Sequence, residues 1–354
     1  MMNRYKEKLK EMNQLVPKYK TKIPKQPSTG FVKNWLHENK GRMVYHIPLD
    51  PSRHLSCTDK NIRYWYENIY TEQLFKKIDK RLFFNADEIM IQVDKRYKVV
   101  SFTEGKIINI DYSKIPHLTT LLCVSSGGDR MNPFVISNQK TLSKSLESYI
   151  ENDKIYNAGQ KSGWIDSILF LQWIKLFIKF VDDVRERKGL KGKPGLLFLD
   201  GHPSRLVPEG MKLLKAANIT VVTFISQSTH IFQPLDRIIN NVFKNSVSSY
   251  IKRLKDSIIK VNNKEVSENE SKITKACISC INAFQVAATD LNITESFKVA
   301  GLIPRDINIP LSHVDCSVVI DKNEPINFDT ESQITKRFKI NGKILTSETL
   351  IKEM

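Results

Sequence analysis

Three apolar runs in this chain stop on an aspartate. RLFFNAD ends at Asp87, GLLFLD ends at Asp200, and the FQPLD turn delivers Asp236 to the start of LDRIINNVFK. A buried strand has no use for a carboxylate unless something offsets its desolvation. The chain must therefore bring these ends to solvent, to a helix cap or to a counter-charge. Two of the aspartates sit at strand ends and one at a helix start. A mixed sheet with helices on its faces can gather such ends at one edge.

The pattern around them supports that architecture. RLFFNAD, YKVVSF and HLTTLLCVSSGGDRMNPFVIS predict an antiparallel meander over 82–137, with SGGD as a turn. A long amphipathic helix follows at about 164–188, with Trp164, Ile168, Leu171, Ile174, Phe177, Ile178 and Val181 along one side. Trp164 and Trp173 are expected in the core. PGLLFLD, PEGMKLLKAAN and ITVVTFI then read strand, helix, strand, which implies a parallel pair with a crossover helix. LDRIINNVFKNSVSSYIKRLKDSIIK reads as one long helix with a basic outer face, and SKITKACISCINAFQVAATDLNITESFKVAGLIP as helical, closing at Gly301 and Pro304.

The flanks are simpler. The first 45 or so residues are lysine-rich, carry Pro17, Pro24 and Pro27, and end in a short helix around GFVKNWLHENK. A second helix is expected over 58–78, where Ile62, Tyr66, Ile69 and Tyr70 recur at helical spacing. The expected organisation is a basic arm over 1–45, a helical linker over 46–80, a core over 81–260, a helical extension over 261–305 and a weakly structured tail over 306–354.

Charge narrows the partner. The 354 residues hold 55 Lys and Arg against 38 Asp and Glu, a formal charge of +17, which favours a polyanion. Five cysteines, Cys57, Cys123, Cys277, Cys280 and Cys316, are too few and too scattered for a secreted disulfide framework. The basic start lacks the apolar run of a signal peptide, and GWIDSILFLQWIKLFIKFV carries Asp166, Gln172, Lys175 and Lys179, which argues against a membrane span. A reducing, intracellular location is expected.

Three convergent carboxylates stay ionised together only when cations neutralise them. Oxygen ligands suit Mg²⁺ or Mn²⁺. Two such ions about 3.5–4 Å apart can clamp the attacking and leaving oxygens of a phosphoryl transfer. Against this stands the plain role of aspartate as a helix cap or strand-edge residue. Glu88, next to Asp87 on a strand, is expected to face the other way. His230 is a candidate for orienting a ligand or touching a DNA backbone, and His202 for approaching the site. Lys244, Lys252, Arg253 and Lys255 are candidates for phosphate contact, or simply a solvated basic face. Cys277 and Cys280, a single pair within a helix, read as packing rather than as a metal site.

Several blocks together carry a resemblance: FFNADE, GWIDSILFLQW, LLFLDGHPSR, STHIFQPLD, NITESFKVAGLIP and QPSTGFVKNWLHENK. From Pro27 to Pro304 the chain resembles the pogo/Tigger/jerky branch of the DDE transposases. STHIFQPLD is the most specific of these signals. The resemblance implies an α/β, RNase H-like mixed sheet flanked by helices, with a short helical N-terminal remnant and a helical C-terminal extension. It implies Asp87, Asp200 and Asp236 as catalytic metal ligands for two Mg²⁺ or Mn²⁺ ions. DNA cleavage and strand transfer would be the chemistry, DNA the partner and the nucleus the location. A homodimer stays open, and no membrane is expected. The chain departs from the family at Ile89–Met90, where Thr-Gly is usual, at Arg205, where histidine is usual, and at Ser226–Gln227, where Pro-Pro is usual. Family members carry two helix-turn-helix units before the core, and at most part of one fits before residues 31–40. Alternatives are a DNA-binding derivative without turnover and an RNase H-like nuclease acting on RNA.

Overall fold

In a computed structural model of the chain, residues 29–38, 57–92, 117–138, 144–147, 152, 154–160, 162–202, 205, 207–254, 256–261, 264–314 and 344–345 are described. The chain separates into two units, residues 1–50 and 51–354. In the first lies helix α1 (Thr29–Glu38), where the sequence predicts one.

The second unit opens with α2 (Asp59–Tyr64), capped by the Thr58 hydroxyl, which accepts from the Asn61 N–H at 3.2 Å. The chain then makes a π-turn over Trp65–Ile69 and leaves helical geometry at Tyr70. Thr71 caps a separate α3 (Glu72–Lys77). The sequence predicts a single helix over 58–78, and the break has a physical reason. A strict 3.6-residue period would put Trp65 about 100° away from Tyr66, off the stripe that Tyr66 shares with Tyr70, yet all three are fully buried. Their polar ends are satisfied by main-chain carbonyls: Trp65 Nε1 by Thr223 at 2.9 Å, Tyr66 by Gly301 at 2.9 Å and Tyr70 by Leu302 at 2.7 Å. The break thus moors three aromatic rings to two distant segments.

The sheet begins with β1 (Phe83–Gln92), β2 (His117–Ser125) and β3 (Arg130–Ser137), paired antiparallel as expected. YKVVSF lies outside the described residues. Ser126–Asp129 turns β2 into β3, and Gly128 there has φ +89°, a conformation glycine adopts without strain. β4 (Tyr156–Gly159) adds in parallel to β3. α4 (Ser167–Arg187) follows, with Asp166 capping the Leu169 N–H at 2.8 Å.

The core stripe of α4 is rotated from the one the sequence predicts. Leu169, Phe170, Trp173, Ile174, Phe177, Phe180, Val181 and Val184 are buried, whereas Trp164 and Ile168 are exposed. Trp164 precedes the helix, so its place on a helical wheel has no meaning. Trp173 is in the core as expected. Phe84 of β1 meets Phe177 and Phe180 edge-on at 5.4 and 5.9 Å, which fixes α4 across one face of the sheet.

β5 (Gly195–Leu199), α5 (Pro208–Ala216) and β6 (Ile219–Thr223) form the predicted parallel crossover. Gly210 lets α5 lie against α4, since a Cβ there would stand 2.4 Å from Ile174 Cδ1. α6 (Thr229–Phe232), a π-turn over Leu235–Ile239 and α7 (Asn240–Arg253) come next. The long helix predicted onward from Asp236 stops at Leu254, before a two-residue hairpin, β7 (Lys260–Val261) and β8 (Lys264–Glu265). α8 (Glu268–Ala287) and α9 (Asp290–Val299), capped by Ser267 and Thr289, and the short α10 (Asn308–Leu311) follow. β9 (Ile344–Leu345) pairs antiparallel with β6.

The sheet order is β4-β3-β2-β1-β5-β6-β9. An antiparallel meander joins, through its first strand, a parallel pair linked by a helix. That is the RNase H-like mixed sheet with helices on its faces. Among the described residues no helix is long and apolar enough to cross a membrane.

Candidate active site

β1 and β5 are parallel, with Asn85 opposite Phe198. Two residues further along each strand, the same register sets Asp87 beside Asp200. The two aspartates are therefore neighbours by pairing alone. Asp87 lies mid-strand, since β1 runs on to Gln92 where the sequence predicts a strand ending at Asp87, and only Asp200 follows a strand end. Asp87 is 8% exposed and Asp200 is 26% exposed, just past the end of β5.

Asp236 arrives by a separate device. Asn85 shares the face of β1 that carries Asp87, because residues two apart on a strand point the same way. Its Nδ2 donates to Gln233 Oε1 and to the Phe198 carbonyl, each at 3.2 Å, and its Oδ1 accepts from the Leu235 N–H at 3.1 Å. Asn85 and Gln233 are fully buried. This clasp docks the turn that begins α7 directly onto β1. Asp236 follows at once and is exposed.

Asn240, one turn after Asp236, ties the third carboxylate to the first. Its Nδ2 donates to Asp87 Oδ2 at 2.7 Å and to Asp236 Oδ1 at 2.8 Å. Its Oδ1 is buried without a hydrogen-bond partner. Burial, followed by the charges of Asp236 and Asp200, pushes the Asp87 carboxyl well above the usual carboxylate range. Arg205 works in the opposite direction.

On the α4 side, Arg205 Nε lies 2.7 Å from Asp200 Oδ1 and Nη1 3.5 Å from Glu88 Oε2. Its guanidinium stands over the Phe170 ring, 5.5 Å from the centroid. Glu88 thus faces away from Asp87, as strand alternation requires, and its Oε1 is buried without a hydrogen-bond partner. Among the described residues no three His, Cys, Asp or Glu side chains stand ready to hold one ion. The gap between Asp87 and Asp236 is filled by the Asn240 amide, and Asp200 is turned to Arg205. The donor set itself is all oxygen and includes the unpartnered Asn240 Oδ1 beside two carboxylates. That chemistry fits a hard divalent cation.

The remaining candidates fall around this centre. His230 lies on α6, and its carbonyl accepts from Arg237 Nη1 at 2.8 Å. Lys244, Lys252 and Arg253 are exposed along α7, and Lys255 is outside the described residues. His202 is exposed just after Asp200. Cys277 and Cys280 are buried free thiols on α8, facing Asn157 Nδ2 at 3.7 Å and the Thr120 hydroxyl at 3.9 Å. Burial raises both thiols, Cys280 to about 12, so they pack as neutral groups. Asn85, Gln233 and Asn240 were not anticipated. The spacing of Asn240, four residues after Asp236 on a helix, is the signal that could have found it.

Residues 116–297 match the DDE superfamily endonuclease family. This chain belongs to it. Asp200 and Asp236 lie within the matched span, and Asp87 lies before it, joined through β1. A relative from Cochliobolus lunatus, described as "MFS-type transporter clz9", is 30% identical over 201 residues. The match covers 56% of this DDE-family chain and 20% of that protein's length. Among solved structures, a pre-cleavage Mos1 transpososome overlaps at a TM-score of 0.45 with 12% identity, over 89% of this chain and 78% of that one. The Mos1 mariner paired end complex with Mn overlaps at 0.44 with 12% identity, over 88% and 77%.

Proposed function

We propose that this DDE-family chain is a transposase-derived DNA endonuclease and strand transferase whose divalent cations are held by Asp87, Asp200 and Asp236. The observation that carries the reading is the convergence of three carboxylates by two unrelated devices. Strand register brings Asp87 to Asp200, and the Asn85–Gln233 clasp brings Asp236. A fold that needed only caps has no reason to gather them. Mg²⁺ or Mn²⁺, two ions on the reading of the sequence, would supply activation of a nucleophilic oxygen and stabilisation of the leaving oxygen when bound. The chain's own part is to hold Asp87 in β1 beside the end of β5, with the turn of Asp236 docked against it, and to keep the buried Asp87 side dry. Lys244, Lys252 and Arg253, exposed on the helix that starts at the site, are suited to holding backbone phosphates, as the formal charge of +17 suggests. His230 would support the turn beside them. A homodimer and a nuclear location belong to the same proposal.

The test is Mn²⁺- or Mg²⁺-dependent nicking of supercoiled plasmid by the purified chain. Nicking is expected, and Asp200→Ala should abolish it. Full activity in that variant would overturn the assignment. A second reading, a DNA-binding derivative without turnover, is favoured by one observation. Arg205 and Asn240 already satisfy the carboxylates from within. Calorimetric titration with Mn²⁺ separates the two, since the second reading predicts no binding that depends on the aspartates.

A further inference from the structure

Arg205 is 1% exposed, which makes it one of the largest fully buried side chains in the protein. A guanidinium is stable in such a place only when paired, because its charge cannot be shed. The pairing here is specific. Nε lies 2.7 Å from Asp200 Oδ1, and Nη1 lies 3.5 Å from Glu88 Oε2. Phe170 covers the guanidinium from α4, at 5.5 Å. The guanidinium already holds Asp200 Oδ1, so a second cation that uses Asp200 must share its carboxylate with the guanidinium. The Glu88 main-chain N–H donates to Asp87 Oδ1 at 2.9 Å, while its side chain turns to the far end of the guanidinium and leaves Oε1 buried without a hydrogen-bond partner.

We infer that Arg205 is a positioning residue that acts as a built-in counter-cation, holding Asp200 through an anchor on Glu88 and thereby setting how tightly the three-aspartate site takes a divalent cation. This rests on the metal-binding reading above. The arginine keeps the carboxylate cluster folded when no divalent cation is bound, and it makes cation binding a competition for Asp200. Removal of its charge has two opposite consequences. The metal-free protein loses stability, and the site gains affinity for a divalent cation. A purely structural arginine would give the first without the second.

The experiment is Mn²⁺ titration of the full chain, by calorimetry or by the electron paramagnetic resonance of free Mn²⁺, with thermal unfolding in a chelator alongside. Arg205→Gln should tighten Mn²⁺ binding about tenfold or more, the effect expected when a neighbouring like charge is lost. Arg205→Lys, which keeps the charge, should stay near the wild type. Unchanged or weaker binding in a folded Arg205→Gln overturns the inference. If Arg205→Gln does not fold, Glu88→Gln reads the same competition in reverse. It removes the negative charge at the guanidinium's far end and so strengthens the pull on Asp200, so Mn²⁺ binding should weaken several-fold, and unchanged binding overturns the inference. Asp87→Asn distinguishes the two levels of failure. If wild-type binding depends on Asp87 but ignores Arg205 and Glu88, this inference alone falls. If neither the wild type nor Arg205→Gln binds Mn²⁺, the metal-binding function falls with it.

Discussion

Asp129 and Asp87 are equally buried carboxylates, at 9% and 8% exposure, and they live in opposite electrostatic worlds. Asp129 closes the β2–β3 turn by the start of β1. It takes Arg187 on one oxygen and Lys188 on the other, both at 2.9 Å, and the Ser125 hydroxyl at 3.1 Å. Asp87 lies further along β1, toward the end of β5. It receives one amide from Asn240 and one main-chain N–H from Glu88, and its carboxylate neighbours are Asp200 and Asp236. One site is finished by the chain itself. The other is left short of positive charge, although a fold that supplies two cations to Asp129 could supply one to Asp87. A deficit of this kind, kept within β1 beside the end of β5, is where chemistry rather than stability sets the residues.

That contrast breaks most visibly at Asp129. Asp129→Ala should destabilise the chain by about 2–3 kcal/mol, below the full penalty for breaking a buried pair because Arg187 is 59% exposed. Urea unfolding midpoints would measure it. A loss within error would mean that the turn is held by its backbone bonds alone.

Asp87→Asn should move stability the other way, with a gain of about 1 kcal/mol in the presence of a chelator, because repulsion and desolvation of a buried charge are relieved. Asn240 can turn to offer its unpartnered Oδ1 to the new amide. The same variant should lose aspartate-dependent Mn²⁺ binding. The pH dependence has a definite sign. Because folding raises the Asp87 carboxyl above its ordinary value of 3.8, its unfavourable contribution is absent below that value and grows as pH rises through the raised one. The advantage of Asp87→Asn should therefore vanish in acid. A destabilised Asp87→Asn at neutral pH would erase the difference between the two sites.

The sequence carried the aspartates and hid the groups that manage them. Asp200 and Asp236 were legible because each ends an apolar run, and an apolar run that stops on a charge is visible in one dimension, whereas the strand of Asp87 runs on to Gln92. The strand–helix–strand order around Asp200 was legible for the same reason. Asn85, Gln233 and Asn240 were not, because their meaning depends on β1 lying against the turn before α7, which only the folded sheet creates. Arg205 stood out as a departure from the related pattern, but its partner Glu88 comes from a strand more than a hundred residues earlier. The break at Tyr70 and the exposure of Trp164 share a different cause. A periodic stripe fixes a helix face only while the 3.6-residue repeat holds. The π-turn at Trp65–Ile69 and the residues before the start of α4 at Ser167 both fall where it does not.

The smallest expected effect lies at Asp79, beside the Asp129 turn, and it tests whether that end of the molecule is finished throughout. Asp79 bonds Arg81 through both oxygens, at 2.9 Å each, and caps the Arg81 N–H at 3.0 Å. The Arg81 bond lowers its carboxyl to about 2, the reverse of Asp87. A depressed value means that the contribution is present above the ordinary 3.8 and is lost as pH falls toward about 2. Because this ion pair is open to solvent, it should be worth less than about 1 kcal/mol. Asp79→Asn keeps a capping side chain and removes only the charge. Its unfolding midpoint should sit slightly below the wild type at neutral pH and converge with it near pH 2, while Asp87→Asn starts above the wild type and converges from that side. Curves that approach from the same side would show that Asp79 and Asp87 do not differ in the sign of their electrostatics, and the case for a site built around a charge deficit would lose its reference.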